Sequence, residues 1–126
     1  MRFLMIVKAD RQTEAGVLPT KRELDGMDKF NQEMIKAGVM VDGVGLQDSS
    51  KGARVAFVDG RPQVTDGPFV ETKELIAGFW VLEVKSKAEA IEWAKKVPFE
   101  YLPGDGRVPE LEIRQVFGED DFKDIK

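Results

Sequence analysis

Two segments of this chain are apolar at nearly every position, and they restrict the fold more than any other feature. Phe3-Leu4-Met5-Ile6-Val7 sits between Arg2 and Lys8, and Leu75-Ile76-Ala77-Gly78-Phe79-Trp80-Val81-Leu82 runs on to Glu83-Val84. A strand with one wet face alternates apolar and polar residues, whereas a strand apolar on both faces is covered on both. In the second segment one face carries Ile76, Gly78, Trp80, Leu82 and Val84, and the other carries Ala77, Phe79 and Val81. The fold therefore has to cover two strands from both sides.

The segments between them supply the cover. Ala9 to Pro19 reads as a polar loop. Thr20-Lys21-Arg22-Glu23 has the spacing of a capping box, with Thr20 as N-cap and Glu23 at the third helical position. Leu24, Met27, Phe30, Met34 and Ile35 follow at helical spacing, and Gly38 supplies a stop. Val39 to Leu46 reads as a strand that Gly43 and Gly45 weaken, which points to a bulge or a close backbone approach. Ala53 to Val58 and Arg61 to Thr65 flank Asp59-Gly60, a strong hairpin signal, and Pro62 either places the second of these strands at an edge or is confined to its first residue. Ser86-Lys87-Ala88-Glu89 opens a second helix with Ala90, Ile91, Ala94 and Val97 inward and Trp93 at the border, stopped by Pro98. Phe99 to Pro109 is an irregular loop with Gly104-Asp105-Gly106 at its tip, and Leu111 to Phe117 alternates as a last strand. From about residue 118 to 126 the chain ends in an acidic tail, in which Phe122 is the residue able to dock.

The order is strand, helix, strand, hairpin, strand, helix, strand. Two strand–helix–strand units around an inserted hairpin predict an α+β, ferredoxin-like sandwich, with an antiparallel sheet and two helices on one face. The 126 residues fit one domain, residues 1–126. Helices on one face leave the other open, yet the two central strands are apolar there too. An uncovered apolar face is an interface, so a homodimer with sheets packed face to face is expected.

Composition narrows the function classes. A formal net charge of −4, without clustered Lys and Arg, argues against nucleic acid. No apolar run reaches the ~20 residues of a membrane span, and Met1 to Val7 is too short and too soon charged for a secretory signal. The absence of Cys excludes disulfides and thiolate chemistry and fits a cytoplasmic home. The absence of His removes the commonest general base and metal ligand, and no metal or cofactor is expected. Gly43, Gly45 and Gly104-Asp105-Gly106 lack the strand-to-helix context of a dinucleotide fingerprint.

The chemistry-bearing residues concentrate just before the longer apolar strand. Asp66-Gly67-Pro68-Phe69 is a turn, because Asp accepts from nearby backbone N–H groups, Gly is unrestricted and Pro fixes φ. In an apolar cleft the Asp66 carboxylate would act as general acid/base or hydrogen-bond acceptor, and otherwise it holds the loop as an Asx-turn acceptor. Gly67, Phe69, Glu71, Lys73 and Glu74 complete a ligand-binding candidate set, with Glu71 and Lys73 on one face if the strand starts early. Asp42, before Gly43-Val44-Gly45, is a further candidate cleft carboxylate.

Asp66-Gly67-Pro68-Phe69 followed by Glu71-Thr72-Lys73-Glu74 and Gly78-Phe79 resembles the DGPF-type branch of the YCII-related family. Ala37-Gly38-Val39, Gly45-Leu46-Gln47, Ala90-Ile91-Glu92-Trp93-Ala94 and Glu112 to Phe117 extend the resemblance along nearly the whole chain, as does Glu119-Asp120-Asp121-Phe122. The resemblance implies a dimeric α/β barrel of ferredoxin-like fold. Smaller relatives are proposed to use a His–Asp pair, which a chain without His does not carry. Two readings of function follow. One is a small enzyme or small-molecule binder with a cleft at the Asp66 turn. The other is a non-catalytic regulatory or interaction subunit with a protein partner, which the resemblance suggests through the alternative sigma factors near some family members.

Overall fold

The computed structural model describes residues 1–99 and 108–125. Its strands are β1 (Arg2–Lys8), β2 (Met40–Gly45), β3 (Ala53–Val58), β4 (Arg61–Asp66), β5 (Ile76–Glu83) and β6 (Leu111–Gln115). Its α-helices are α1 (Arg11–Glu14), α2 (Lys21–Lys36) and α3 (Lys87–Ala94). Four strands form one antiparallel sheet in the order β2-β5-β1-β6, and β3 pairs only with β4. Because β5 lies between β1 and β2, and β1 lies between β5 and β6, the two strand–helix–strand units interleave. That is the ferredoxin-like arrangement, with the β3–β4 hairpin inserted between β2 and β5.

Register places the core. Met5 faces Trp80 on β5 and Ile113 on β6, and Phe3 faces Leu82 and Gln115. Phe3, Met5, Trp80, Leu82 and Val84 are buried on one face beneath Phe30 and Met34 of α2 and Ala90 of α3. Trp80 and Trp93 each meet the Phe30 ring edge-on, at centroid distances of 5.6 and 6.3 Å. Such contacts add ~0.5–1.5 kcal/mol beyond area burial. The opposite face of β1 and β5 carries Leu4, Ile6, Ala77, Phe79 and Val81, all half-buried. Asp42 and Val44 on β2 and Glu112 and Arg114 on β6 flank them in register.

Local signals explain both helix starts. Thr20 Oγ1 accepts from the Glu23 N–H at 3.1 Å, and Glu23 Oε1 reaches back to the Thr20 N–H at 3.5 Å. Ser86 Oγ accepts from the Glu89 N–H at 3.1 Å. The Glu89 carboxylate, however, accepts from Lys85 N–H at 2.8 Å, one residue ahead of the expected partner.

Several expectations from pattern differ from the structure in detail. The polar loop after β1 contains the single turn α1, closed by Asp10 and Thr13 in a reciprocal capping box. The stripe on α2 is buried at Phe30 and Met34, with Met27 partly buried, whereas Leu24 and Ile35 are exposed. On α3, Trp93 packs against the core while Ile91 is exposed, since the short helix meets the sheet along its Ala90–Trp93–Ala94 side. The irregularity in β2 falls between Met40 and Asp42, ahead of the glycines. The last strand ends at Gln115, and Phe117 lies exposed against Phe122 of the tail at 4.8 Å between centroids. The expected loop tip at Gly104-Asp105-Gly106 lies outside the described residues.

Candidate functional site

Three glycines and a tryptophan shape a cleft between the sheet and α2. Gly43 pairs with Trp80 and Gly45 with Gly78, so all three glycines fall on the helix-facing side of the sheet near β2. A Cβ on Gly43 would lie 2.8 Å from Trp80 Cδ1, so the missing side chain is what lets the indole lie over β2. Trp80 Nε1 donates to Asn31 Oδ1 of α2 at 2.8 Å, which fixes the ring and satisfies its buried donor. Beside it the floor is bare, since a Cβ on Gly45 would meet nothing within 4 Å. The resulting cleft between sheet and α2 has a volume of about 1360 Å³. Leu24 and Met27 wall it, Val17 and Leu18 rim it, and Gln12 and Gln47 stand at its edge. Leu18 and Leu24 are exposed there, an arrangement that burial by an apolar ligand would relieve.

A second cavity of about 540 Å³ lies on the other side of the Leu46-Gln47-Asp48 segment. Here the Asp66 turn is held. The turn 49–51 is capped by Asp48, whose carboxylate accepts from the Ser50 hydroxyl and from the Ser50 N–H at 3.0 Å. Those two bonds hold the Asp48 carboxyl below the usual carboxylate range. Glu14, at the end of α1, accepts from the Ser49 N–H at 3.0 Å and from the Ser49 hydroxyl. The same hydroxyl oxygen accepts the Phe69 N–H at 2.9 Å. Gly67 N–H donates to Gly52 O at 3.0 Å, and a Cβ on Gly67 would sit 1.8 Å from Ser49 O. Only glycine permits that approach. The Gly67–Pro68 peptide is cis. The Arg54 guanidinium lies 3.9 Å over the Phe69 ring, which ties the start of the hairpin to the turn.

The residues singled out from sequence therefore separate. Phe69 and Glu74 line the smaller cavity together with Glu14, Ser49 and Arg54. Asp66 ends β4 opposite Ala53, exposed and outside both cavities. Glu71 precedes the 3-10 turn Thr72–Glu74, so the strand starts late and Glu71 and Lys73 share no strand face. Both are exposed. Asp42 is exposed too and accepts from the Gly43 N–H at 2.8 Å. Glu14, Ser49, Arg54 and Asn31 were not foreseen. Their partners lie far along the chain, 35 residues apart for Glu14 and Ser49 and 49 for Asn31 and Trp80. Among the described residues no three or more Asp or Glu are grouped to hold a metal ion, and no helix is long and apolar enough to cross a membrane.

Comparison with known proteins agrees with the architecture. The model of the YCII-related domain matches residues 1–116. The uncharacterized protein R00369 of Rhizobium meliloti is 28% identical over 75 residues, which cover 60% of each chain. This chain thus matches less than two thirds of that relative's length.

Proposed function

The chain belongs to the YCII-related domain family, and from that premise we propose that it is a homodimeric small-molecule binder whose ligand lies over Gly45. One observation carries the reading. Beneath α2 the sheet carries no side chain at Gly45, where a Cβ would meet nothing within 4 Å, and the cleft opens over that position. The lining suits an apolar body against Leu24, Met27 and Trp80 that also carries polar groups, since Gln12, Arg22, Glu23, Asn31 and Gln47 line the cleft too. Two copies packed through Leu4, Ile6, Phe79 and Val81 would cover the open face of the sheet. Asp66 holds no ligand in this reading.

A thermal-shift screen of metabolites with wild type, Gly45→Phe and Asp66→Asn tests it. The Gly45 backbone is not left-handed and a Cβ there would meet nothing within 4 Å, so phenylalanine is expected to occupy the floor of the cleft. A ligand at 100 times its dissociation constant stabilises by about 2.7 kcal/mol, several degrees of melting midpoint. The expected result is a shift in wild type and Asp66→Asn that Gly45→Phe abolishes. A shift kept by Gly45→Phe and lost in Asp66→Asn moves the ligand to the turn and makes Asp66 a site carboxylate.

The exposed Phe117–Phe122 pair favours a second reading, in which the acidic tail engages another protein as a regulatory subunit would. Removal of residues 118–126 would then release a partner that the full chain retains in a pull-down. Retention by the truncated chain contradicts it.

A further inference from the structure

The cleft over Gly45 and the smaller cavity share a wall, since Leu46, Gln47 and Asp48 line both. That wall is a short span between two held points. At one end Leu46 N–H donates to Ala77 O of β5 at 2.8 Å, and at the other stands Ser49. Gln12, Thr13, Gly16 and Val17, from α1 and the turn after it, line the same cleft. The two pieces approach closely, because a Cβ on Gly16 would lie 3.5 Å from Asp48 Oδ2.

Each piece closes on itself. Asp10 and Thr13 cap α1 reciprocally, and Asp48 caps the 49–51 turn. Neither set of bonds joins one piece to the other, whereas Glu14 and Ser49 do. The Glu14 carboxylate accepts from the Ser49 N–H at 3.0 Å and from the Ser49 hydroxyl, bonds that its charge strengthens. With its one proton given to Glu14, the hydroxyl oxygen accepts the Phe69 N–H at 2.9 Å. Ser49 O is also the atom against which Gly67 rests. Ser49 is thus held by α1 and by the 67–69 turn together. Glu14 and Ser49 line the smaller cavity and not the cleft, so their effect on a ligand in the cleft runs through the wall.

We infer that Glu14 and Ser49 are positioning residues for the cleft. Their bonds lock the Gln47–Asp48 wall to α1, and the Asp66-Gly67-Pro68-Phe69 turn buttresses the lock from the other cavity. The inference rests on the reading of the cleft over Gly45 as a binding site. With the lock undone, the binding-competent wall is one arrangement among several, and the apparent dissociation constant rises by the inverse of its population.

Saturable quenching of Trp80 by anilinonaphthalene sulfonate, in a Trp93→Phe parent, reads that constant, because Trp80 lines the cleft. The parent is compared with Glu14→Ala, Glu14→Gln and Ser86→Ala added to it. Glu14→Ala is expected to raise the dissociation constant at least ~5-fold. Loss of the Glu14 charge would by itself favour the anionic dye, so weakening does not arise from charge. Glu14→Gln keeps an oxygen for the Ser49 N–H and an amide N–H for its hydroxyl, and is expected to recover most of the loss. Ser86→Ala removes the N-cap of α3, outside the cleft lining, and is expected to lower the melting midpoint while binding the dye as the parent does. Equal affinity in Glu14→Ala and the parent overturns the lock and leaves the cleft standing. Equal weakening in Glu14→Ala and Ser86→Ala makes the effect one of general stability and also overturns the lock. No saturable phase in the parent overturns the lock and the cleft together.

Discussion

Gly67 and Asp66 are neighbours in the motif with opposite structural weight. A methyl on Gly67 would overlap Ser49 O, a backbone atom that a side-chain rotation cannot clear. Gly67→Ala is therefore expected to lose at least about 2 kcal/mol, by forcing the turn off the 49–51 segment. Asp66 is exposed, with no side-chain hydrogen bond or ion pair among the described residues, and Asp66→Asn is expected to stay within about 0.5 kcal/mol. Urea midpoints for the pair check this, and an equal loss from both would mean that the aspartate also holds the turn. The sequence showed that a turn occurs here, because Gly and Pro act through their own φ. It did not show what the turn closes on. Ser49, Glu14 and Arg54 reach it through the tertiary fold, and nothing in their local spacing marks them.

At the scale of elements, legibility follows the range of the interaction. The Thr20–Glu23 box depends on residues three apart and forms as its spacing predicts. Thr20→Ala removes the acceptor for the Glu23 N–H and is expected to cost ~1 kcal/mol, measurable as a lower melting midpoint. An unchanged midpoint would mean that packing of Phe30 and Met34 alone sets the start of α2. Helix faces were harder to read than helix ends. Ile91 and Trp93 both fit a plausible stripe, and the small Ala90 and Ala94 let the indole edge reach Phe30. The faces of β5 were plain because Gly78, Trp80, Leu82 and Val84 alternate without exception, and each is buried.

The whole molecule combines a covered sheet face, which is core near Met5 and cleft near Gly45, with an open face and an exposed hairpin. The cleft was only partly visible in the sequence. Gly43 and Gly45 signalled a close backbone approach, and that holds for Gly43, where Trp80 lies down on the strand. Gly45 has the same residue type and leaves a space instead. Which of the two a glycine does depends on α2 and on the loop that rims the cleft. The most direct test of the cleft uses Trp80 itself, which lines it, as the sole indole in a Trp93→Phe background. Titration with an apolar dye such as anilinonaphthalene sulfonate is predicted to quench Trp80 saturably, and Gly45→Phe added to that background is predicted to abolish the saturable phase. Equal quenching curves with and without Gly45→Phe, or no saturable phase in either protein, would contradict a binding cleft over Gly45.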